Sequence, residues 1–513
     1  MKLNQLILAA VAGAQFAFPA FAADSEATNS TGATQSGTPP AYTAVGAANN
    51  STGAAEIEDL KKEIQALNQK VQSLEQQRRS EQQAVTDTNQ EQIQALAQKV
   101  RILERHRELD QESADAAAKS APKISLGTGG FNLTSADTNF SISLHGYVQL
   151  DSRTFLQNTA PGVDGFIFRR IRPIISGTVF HDFDFLIMPE FGGSSPSIYD
   201  AYVNYRPWPE LQLQAGRFKS PIGLERLQSA KYLSFNERSL VTDLVPNRDL
   251  GVELHGDLFD SQVSYAAGIF NGVADEANTG NSDVDNDKEF AGRLFFQPLK
   301  ATDIGALQGL GFGVGGSYGN EYGSSDLTSG YTTDGQQKFF TYNPAAGSVT
   351  ANGAHWRISP QGYYYWGPFG LLGEYAISDQ RVKLTAAPGT AADLRNTAWE
   401  VSASWVLTGE DASYNGVTPR HPFSLHKGGG WGAWQLVARY AELNVDDTTF
   451  PTFANPATSA SAAQAWSVGL NWWLNKNVLI LTSFSRTTFT GGASGTVTKE
   501  PEAVFFTRIQ LAF

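Results

Sequence analysis

Residues 503–513, Ala-Val-Phe-Phe-Thr-Arg-Ile-Gln-Leu-Ala-Phe, decide the fold of this chain. Every second residue from Ala503 onward is mostly apolar, and this series ends in Phe513. The residues between them, which have the other parity, include Arg508 and Gln510. Because successive side chains of a strand point to opposite faces, the pattern fits a strand that lies between lipid and water. A strand of a soluble sandwich also alternates, so the rest of the chain has to distinguish the two.

The same alternation recurs upstream, in residues 183–187, 199–205 and 211–215, where an apolar side is opposed by a more polar one. Aromatic residues stand near the expected strand ends, at Trp208, at 363–366 and at 472–473. Aromatic girdles of this kind mark the interfaces of membrane barrels. Together with the export signal described below, these features favour an all-β transmembrane barrel over a soluble sandwich.

The length of the alternating region sets the number of strands. Residues 140–513 are 374 residues, which allows about 23 residues for each of 16 strands with its connection. A spanning strand takes about 9–11 residues, so the remainder suits alternating short turns and long loops. Eighteen strands would also fit, whereas eight would leave implausibly long loops. We therefore expect a barrel of 16 antiparallel strands over residues 140–513.

Composition and missing motifs exclude several classes of protein. The chain has no Cys among 513 residues, which excludes disulfide scaffolds and thiolate metal sites. No run of about 18 apolar residues follows residues 6–18, and the net charge of −13 argues against a nucleic-acid partner. The His spacing suits no metal, and no G-x-S-x-G or Walker A sequence occurs, so we expect neither a cofactor nor an enzyme. The acidic run 283–287 lacks the closing Glu of an EF-hand and is interpreted as an external loop.

The first 55 residues predict an export signal and a spacer. Lys2, the apolar residues 6–18 and the sequence Ala-Phe-Ala at 20–22 predict a secretory signal peptide over residues 1–22. Residues 23–55 are rich in Ser, Thr, Ala and Gly and contain neither Lys nor Arg. This composition predicts a flexible low-complexity spacer, because it cannot bury enough apolar surface to order itself.

Residues 56–111 predict an α-helical coiled coil. Apolar residues follow one another at spacings of three and four from Ile57 to Leu74, and the spacing resumes from Ile93 to Leu103. The second seam is out of phase with the first, which fits either a parallel rod with a discontinuity or a helical hairpin that turns near residues 86–89. An amphipathic helix lying on a domain is a third possibility. The narrow seam favours oligomerisation, and residues 112–139, with Pro122 and three Gly, predict a linker.

Six segments of the barrel region resemble the phosphate-selective porin O and P family. They are 166–172, 216–226, 236–240, 401–410, 432–440 and 468–473, and their order along the chain carries the resemblance. The family implies a 16-stranded barrel in the bacterial outer membrane, a homotrimer, and an Arg-lined constriction that passes anions. The coiled coil would then lie in the periplasm. The seam residues alone favour dimers, so the sequence leaves the oligomer number open.

Parity and composition select the candidate pore residues. Arg170 and Arg172 share the polar parity of their strand, whereas Arg169 has the opposite parity and is expected at a strand end or a distortion. Residues 217–249 alternate weakly and carry six basic against four acidic residues, which suggests a loop folded into the barrel. In the alternative interpretation the charges lie on solvated loops and are neutralised by carboxylates such as Asp182, Asp184 and Asp200. The candidate anion-binding residues are Arg169, Arg170, Arg172, Lys219, Arg226 and Arg238.

The resemblance assigns roles to several of these positions. The adjacent Arg pair of the family matches Arg169 and Arg170, and its constriction-loop Arg matches Arg238. A family Lys is replaced by Arg226, which keeps the charge.

Other positions depart from the family. A family Arg falls at Tyr147, whereas two family Tyr positions fall at Arg172 and Lys219. The resemblance therefore implies an anion channel whose constriction is rebuilt rather than copied.

The sequence as a whole predicts an outer-membrane porin for passive diffusion of anions such as phosphate or other oxyanions. Its expected partners are small anions, outer-membrane lipid and further copies of the chain. A general, weakly selective porin is the first alternative. An envelope-tethering protein that acts through its coiled coil and a barrel enzyme are the others.

Overall fold

The computed structural model describes residues 53–513, except 157–161, 194, 281–282, 284, 343–346, 427 and 495–497. The predicted signal peptide (1–22) and nearly all of the predicted spacer (23–55) lie outside the described residues. The chain divides into two compact units, Met1–Arg107 and Glu108–Phe513.

The predicted coiled-coil segment forms one α-helix, α1 (Gly53–Ser120), of 68 residues. The helix is continuous through residues 86–89, so the helical hairpin is wrong. The seam side chains, such as Leu60, Ile64 and Leu67, are exposed. The helix ends later than residue 111, because residues 112–120 contain good helix formers and the next stop signal is Pro122. None of the helices in the described ranges is long and apolar enough to cross a membrane.

The segment expected to be a linker, 112–139, carries more structure than its composition predicts. After the end of the helix it contains a short hairpin, β1 (Lys123–Gly127) and β2 (Gly130–Thr134). Strand β2 pairs with the beginning of the next strand, where Phe131 stands opposite Leu144. The glycines expected to loosen the chain form the turn, because Gly130 has a φ of +89° that favours glycine.

Residues 141–512 form a closed antiparallel barrel of 16 strands, which confirms the predicted fold class. Each strand pairs with the next along the chain, and the last strand pairs with the first, with Arg508 opposite Asp151. Two further strands, β12 (Tyr331–Thr332) and β13 (Lys338–Phe340), form a separate small hairpin in a loop. The barrel strands are β3 (Ser141–Phe155), β4 (Gly165–Val179), β5 (Phe183–Glu190), β6 (Ser197–Trp208), β7 (Leu211–Phe218), β8 (Asp249–Leu258), β9 (Val263–Phe270), β10 (Glu289–Phe296), β11 (Leu310–Gly323), β14 (Val349–Trp366), β15 (Phe369–Leu384), β16 (Ala391–Val406), β17 (Ala433–Asn444), β18 (Ala460–Trp473), β19 (Val478–Gly491) and β20 (Glu502–Ala512).

The two ends of the barrel differ in their connections. The short-connection end holds both barrel termini and five connections of two to four residues, together with the longer segments 297–309 and 407–432. The long-connection end carries the segments 219–248, 271–288 and 324–348. Exposed Trp208, Trp366 and Trp405 stand where strands reach the short-connection end, as expected of an interfacial girdle.

The segment 219–248, named here the inward loop, fills part of the lumen. It contains a one-turn helix, α2 (Leu224–Leu227), and a 3-10 turn over Leu240–Leu244. Its apolar side chains, including Ile222 and Leu244, are buried in a cluster with the small strand residues Ala376, Ala398 and Ala441. Small residues on the inner wall leave room for the loop, so dense packing holds the loop inside the barrel. This confirms the loop that weak alternation over 217–249 predicts. Another short helix, α3 (Gly305–Gln308), lies in the segment 297–309 at the short-connection end.

Candidate functional site

A β-bulge brings the adjacent arginines of β4 to the lumen. Gln149 pairs with Arg170 and Leu150 pairs with Phe168, so Arg169 is the extra residue of the bulge. The bulge lets two consecutive residues point to the same side. This confirms that Arg169 lies at a distortion, which its parity predicts.

Glu237 of the inward loop is surrounded by four guanidinium groups. Arg169 makes two bonds to its carboxylate, from Nε at 2.6 Å and from Nη2 at 3.0 Å. Three further guanidinium groups approach to 3.4 Å, those of Arg153, Arg170 and Arg508. We call these four residues the arginine quartet. The quartet ties one loop carboxylate to strands β3, β4 and β20.

The arginine quartet keeps an excess of positive charge. Among the described residues, the other carboxylate bonded to the quartet besides Glu237 is Asp151, which accepts from Arg508 at 2.6 and 2.7 Å. Four cations therefore face two carboxylates. Burial alone would raise the pKa of the Glu237 carboxyl, but Arg169, Arg170 and Arg508 offset burial and hold that pKa well below its usual range. Glu237 is thus a fixed anion.

A second basic group lies around the ring of Tyr199. The guanidinium groups of Arg172 and Arg248 lie 4.3 and 4.2 Å from its centroid, which is cation–π geometry. Arg172 also bonds Glu190 at 2.5 Å, and Arg248 bonds Asp200 at 2.9 Å. These contacts hold both arginines in fixed positions at the lumenal wall.

Lys219 and Arg238 share one acceptor. Lys219 Nζ donates to the carbonyl oxygens of Leu227 at 3.0 Å and of Gln228 at 2.9 Å, and Arg238 Nη2 donates to the same Gln228 oxygen at 2.7 Å. Within the described ranges, no ion pair involves either side chain. Burial lowers the pKa of Lys219, and the nearby cations Arg238 and Arg248 lower it further. Two cations therefore stand together without a carboxylate between them.

Arg226 is buried inside the inward loop and connects two parts of it. Its Nη2 donates to the carbonyl oxygen of Thr242 at 2.6 Å, and only 4% of the residue is exposed. Burial lowers its pKa, whereas Glu276 and Asp243 favour its charge. The contact links helix α2 to the 3-10 turn.

The structure groups five of the six predicted residues around two centres, leaves Arg226 buried inside the inward loop, and adds others that the sequence did not single out. Arg169 and Arg170 belong to the arginine quartet, whereas the electrostatic neighbours of Lys219 include Arg172, Arg238 and Arg248. The missed residues are Arg153, Arg248, Arg439 and Arg508. Arg508 stands on the polar parity of the terminal strand, and this signal could have identified it.

Of the three carboxylates expected to neutralise the pore charges, one pairs with a pore arginine. Asp200 bonds Arg248, but Asp184 bonds Arg206 at a partly exposed site, and Asp182 lies beside His181. Compensation comes instead from Glu190 and Glu237. The part of the chain that the structure describes contains no group of His, Asp or Glu suited to a metal ion.

A closed 16-stranded barrel with an apolar outer face and a loop-filled, arginine-lined lumen is the architecture of an outer-membrane porin. The family model described as "Phosphate-selective porin O and P" matches residues 143–513. The chain belongs to this family. Its members are channels, so the prediction that the chain is not an enzyme is confirmed.

The chain is also similar to individual known proteins. The chain is 26% identical to Porin O of Pseudomonas aeruginosa over 393 residues, which cover 69% of this chain and 85% of that one. The outer membrane channel DcaP of Acinetobacter baumannii has 10% identity and a TM-score of 0.47, covering 73% of this chain and 98% of its own. OmpT of Vibrio cholerae has the same identity and coverage with a TM-score of 0.46.

Proposed function

We propose that this porin conducts small anions in preference to cations, with phosphate or related oxyanions among its solutes. The observation that carries the proposal is the pair of inward-loop cations Lys219 and Arg238, which take part in no ion pair of the described residues. Uncompensated cations at a narrowing concentrate anions and repel cations. Guanidinium groups additionally match the oxygens of phosphate as paired donors.

A general, weakly selective porin is the second candidate. It is favoured by the carboxylates that lie next to several lumenal arginines and neutralise their charge. Glu237 and Asp151 lie against the arginine quartet, Glu190 lies against Arg172, and Asp200 lies against Arg248. If these carboxylates cancel the field along the whole lumen, permeation would depend on size alone. The two candidates therefore differ in the sign and size of the ion preference.

The proposed assembly is a homotrimer whose short-connection end faces the periplasm. Short turns are periplasmic in barrels of this class, and both barrel termini lie at that end. Helix α1 would then be a periplasmic coiled coil, and its exposed apolar seam suits packing against other copies. Deleting residues 56–103 should leave the single-channel conductance nearly intact. Loss of all channels would contradict a spacer or assembly role, and loss of envelope attachment alone would favour the tether.

The reversal potential of the purified protein in a planar bilayer under a tenfold KCl gradient tests the proposal. We expect a reversal potential with the sign of the chloride equilibrium potential, and added phosphate should reduce the chloride current. A potential near zero would favour the general porin.

A further inference from the structure

A lumenal cavity of about 530 Å³ lies on the short-connection side of the inward loop. Its lining includes Lys219 and Leu227 of the loop and extends to Asp257 and Ser264, close to the ends of β8 and β9 at the short connection. We call this cavity the lower chamber. Its volume is within the range of about 300–1,000 Å³ that holds organic ligands, and it greatly exceeds what one inorganic phosphate would fill.

One part of the lower chamber is cationic. Its lining contains five basic side chains against three carboxylates, so it keeps an excess of positive charge. One carboxylate, Asp200, is bonded to Arg248, and another, Asp257, accepts from Ser264 Oγ at 2.5 Å. The basic lining residues are Arg172, Lys219, Lys231, Arg248 and Arg293.

Three of these cations keep capacity for an anion. No ion pair of the described residues involves Lys219, Lys231 or Arg293. Lys219 donates to two backbone carbonyls, and Arg293 donates from Nε to the neutral side chain of Gln361 at 2.9 Å. An anionic group that enters the chamber would therefore meet cations that no carboxylate already holds.

The rest of the wall includes an apolar surface beside these cations. Ile174, Met188, Tyr202 and Phe218 line the chamber, and the rings of Tyr202 and Phe218 meet edge to face at 6.1 Å. A hydrated inorganic ion gains nothing from such a surface. A ligand with an anionic head and a ring-sized apolar body would contact both parts of the wall.

We propose that the lower chamber is a binding site for small amphipathic organic anions, such as aryl phosphates, which occupy it during permeation. The anionic head lies at Lys219, which no carboxylate holds, beside the paired arginines Arg172 and Arg248. The apolar body lies against Tyr202 and Phe218. The site deepens the anion-channel function proposed above and rests on it.

Block of the chloride current in planar bilayers tests the proposal, with phenyl phosphate and inorganic phosphate as the probes. In the full chain, phenyl phosphate should reach half-block at a concentration about tenfold lower than inorganic phosphate, because it also buries a ring. Equal half-blocking concentrations would overturn the site. A current with no chloride preference and no block by phosphate would instead overturn the anion-channel function itself.

Two variants test separately the contacts of the anionic head and of the apolar body of the ligand. Tyr202→Ser should weaken the block by phenyl phosphate severalfold and reduce its advantage over inorganic phosphate. Lys219→Gln should weaken the block by both anions. Tyr205→Ser is the matched control, because Tyr205 lies on the same strand but on its exposed outer face, and it should retain the advantage of phenyl phosphate. An advantage that survives Tyr202→Ser in full would contradict the placement of the ring.

Discussion

Replacing Glu237 by glutamine should increase the anion preference of the channel. The substitution keeps the size of the side chain but removes one of the two carboxylates that face the arginine quartet. Because the low pKa of Glu237 keeps it charged at neutral pH, the substitution changes the lumenal charge by a full unit. The excess charge of the quartet rises from two to three.

The magnitude follows from Coulomb's law. For an anion that passes about 8 Å from the carboxylate, one unit charge contributes about 0.5 kcal/mol in water and about 2 kcal/mol at an effective dielectric constant near 20. The permeability to chloride should therefore rise by about twofold to thirtyfold. The ratio of chloride to potassium permeability should rise by at least this factor, because the same change of charge disfavours potassium. Because the glutamine amide keeps only one acceptor oxygen, Arg169 also loses one of its two bonds to this side chain and has a donor free for a solute.

The assay is the reversal potential under a KCl gradient, measured beside the unmodified protein. Glu210→Gln is the matched control. Glu210 is exposed in the two-residue turn between β6 and β7, so the substitution removes the same charge at a position away from the quartet. The control should shift the potential far less. An unchanged ratio for Glu237→Gln, or a shift toward potassium, would refute the assignment of Glu237 as a lumenal counter-ion.

Two further predictions concern pH and stability. Since burial and neighbouring cations depress the pKa of Lys219, its charge is lost at a pH well below that of an ordinary lysine. Anion preference should fall as the pH rises through that point, and Lys219→Arg should abolish the step. Asp151→Asn removes the carboxylate that holds the fully buried Arg508 at 2.6 and 2.7 Å and leaves it only the 3.4 Å contact with Glu237, so it should lower the free energy of unfolding in urea by about 3–5 kcal/mol. Asp393→Asn, in the exposed pair with Arg381, should cost less than about 1 kcal/mol. An anion preference that does not fall with rising pH would contradict the role of Lys219. Equal losses of unfolding free energy in Asp151→Asn and Asp393→Asn would contradict the buried pair of Asp151 and Arg508.

The sequence predicts the barrel well because its signals are local. Two-residue alternation defines strands such as 199–205, and the length of the alternating region predicts their number. Parity also places Arg170 and Arg172 on the lumenal side and indicates the distortion at Arg169. Weak alternation over 217–249 predicts the inward loop.

The pairing of charges could not be predicted because it depends on closure of the barrel. Asp151 and Arg508 lie 357 residues apart and meet only where the last strand pairs with the first. Glu237 contacts arginines from three strands once its loop folds inward, and no spacing in the sequence reveals that. The hairpin over Lys123–Thr134 was missed because its strands have five residues each, too few for alternation to stand out beside its glycines.

We propose that Lys219 and Arg238 of the inward loop, which no ion pair of the described residues involves, produce the anion preference. The reversal potential of the double variant Lys219→Gln/Arg238→Gln under a tenfold KCl gradient tests it most directly, with Arg381→Gln as the control for an exposed arginine. We expect the potential of the double variant to move from the chloride side toward zero or beyond, whereas the control should keep the potential of the unmodified protein. A double variant that folds, conducts and retains the full chloride preference would contradict the role of these two cations.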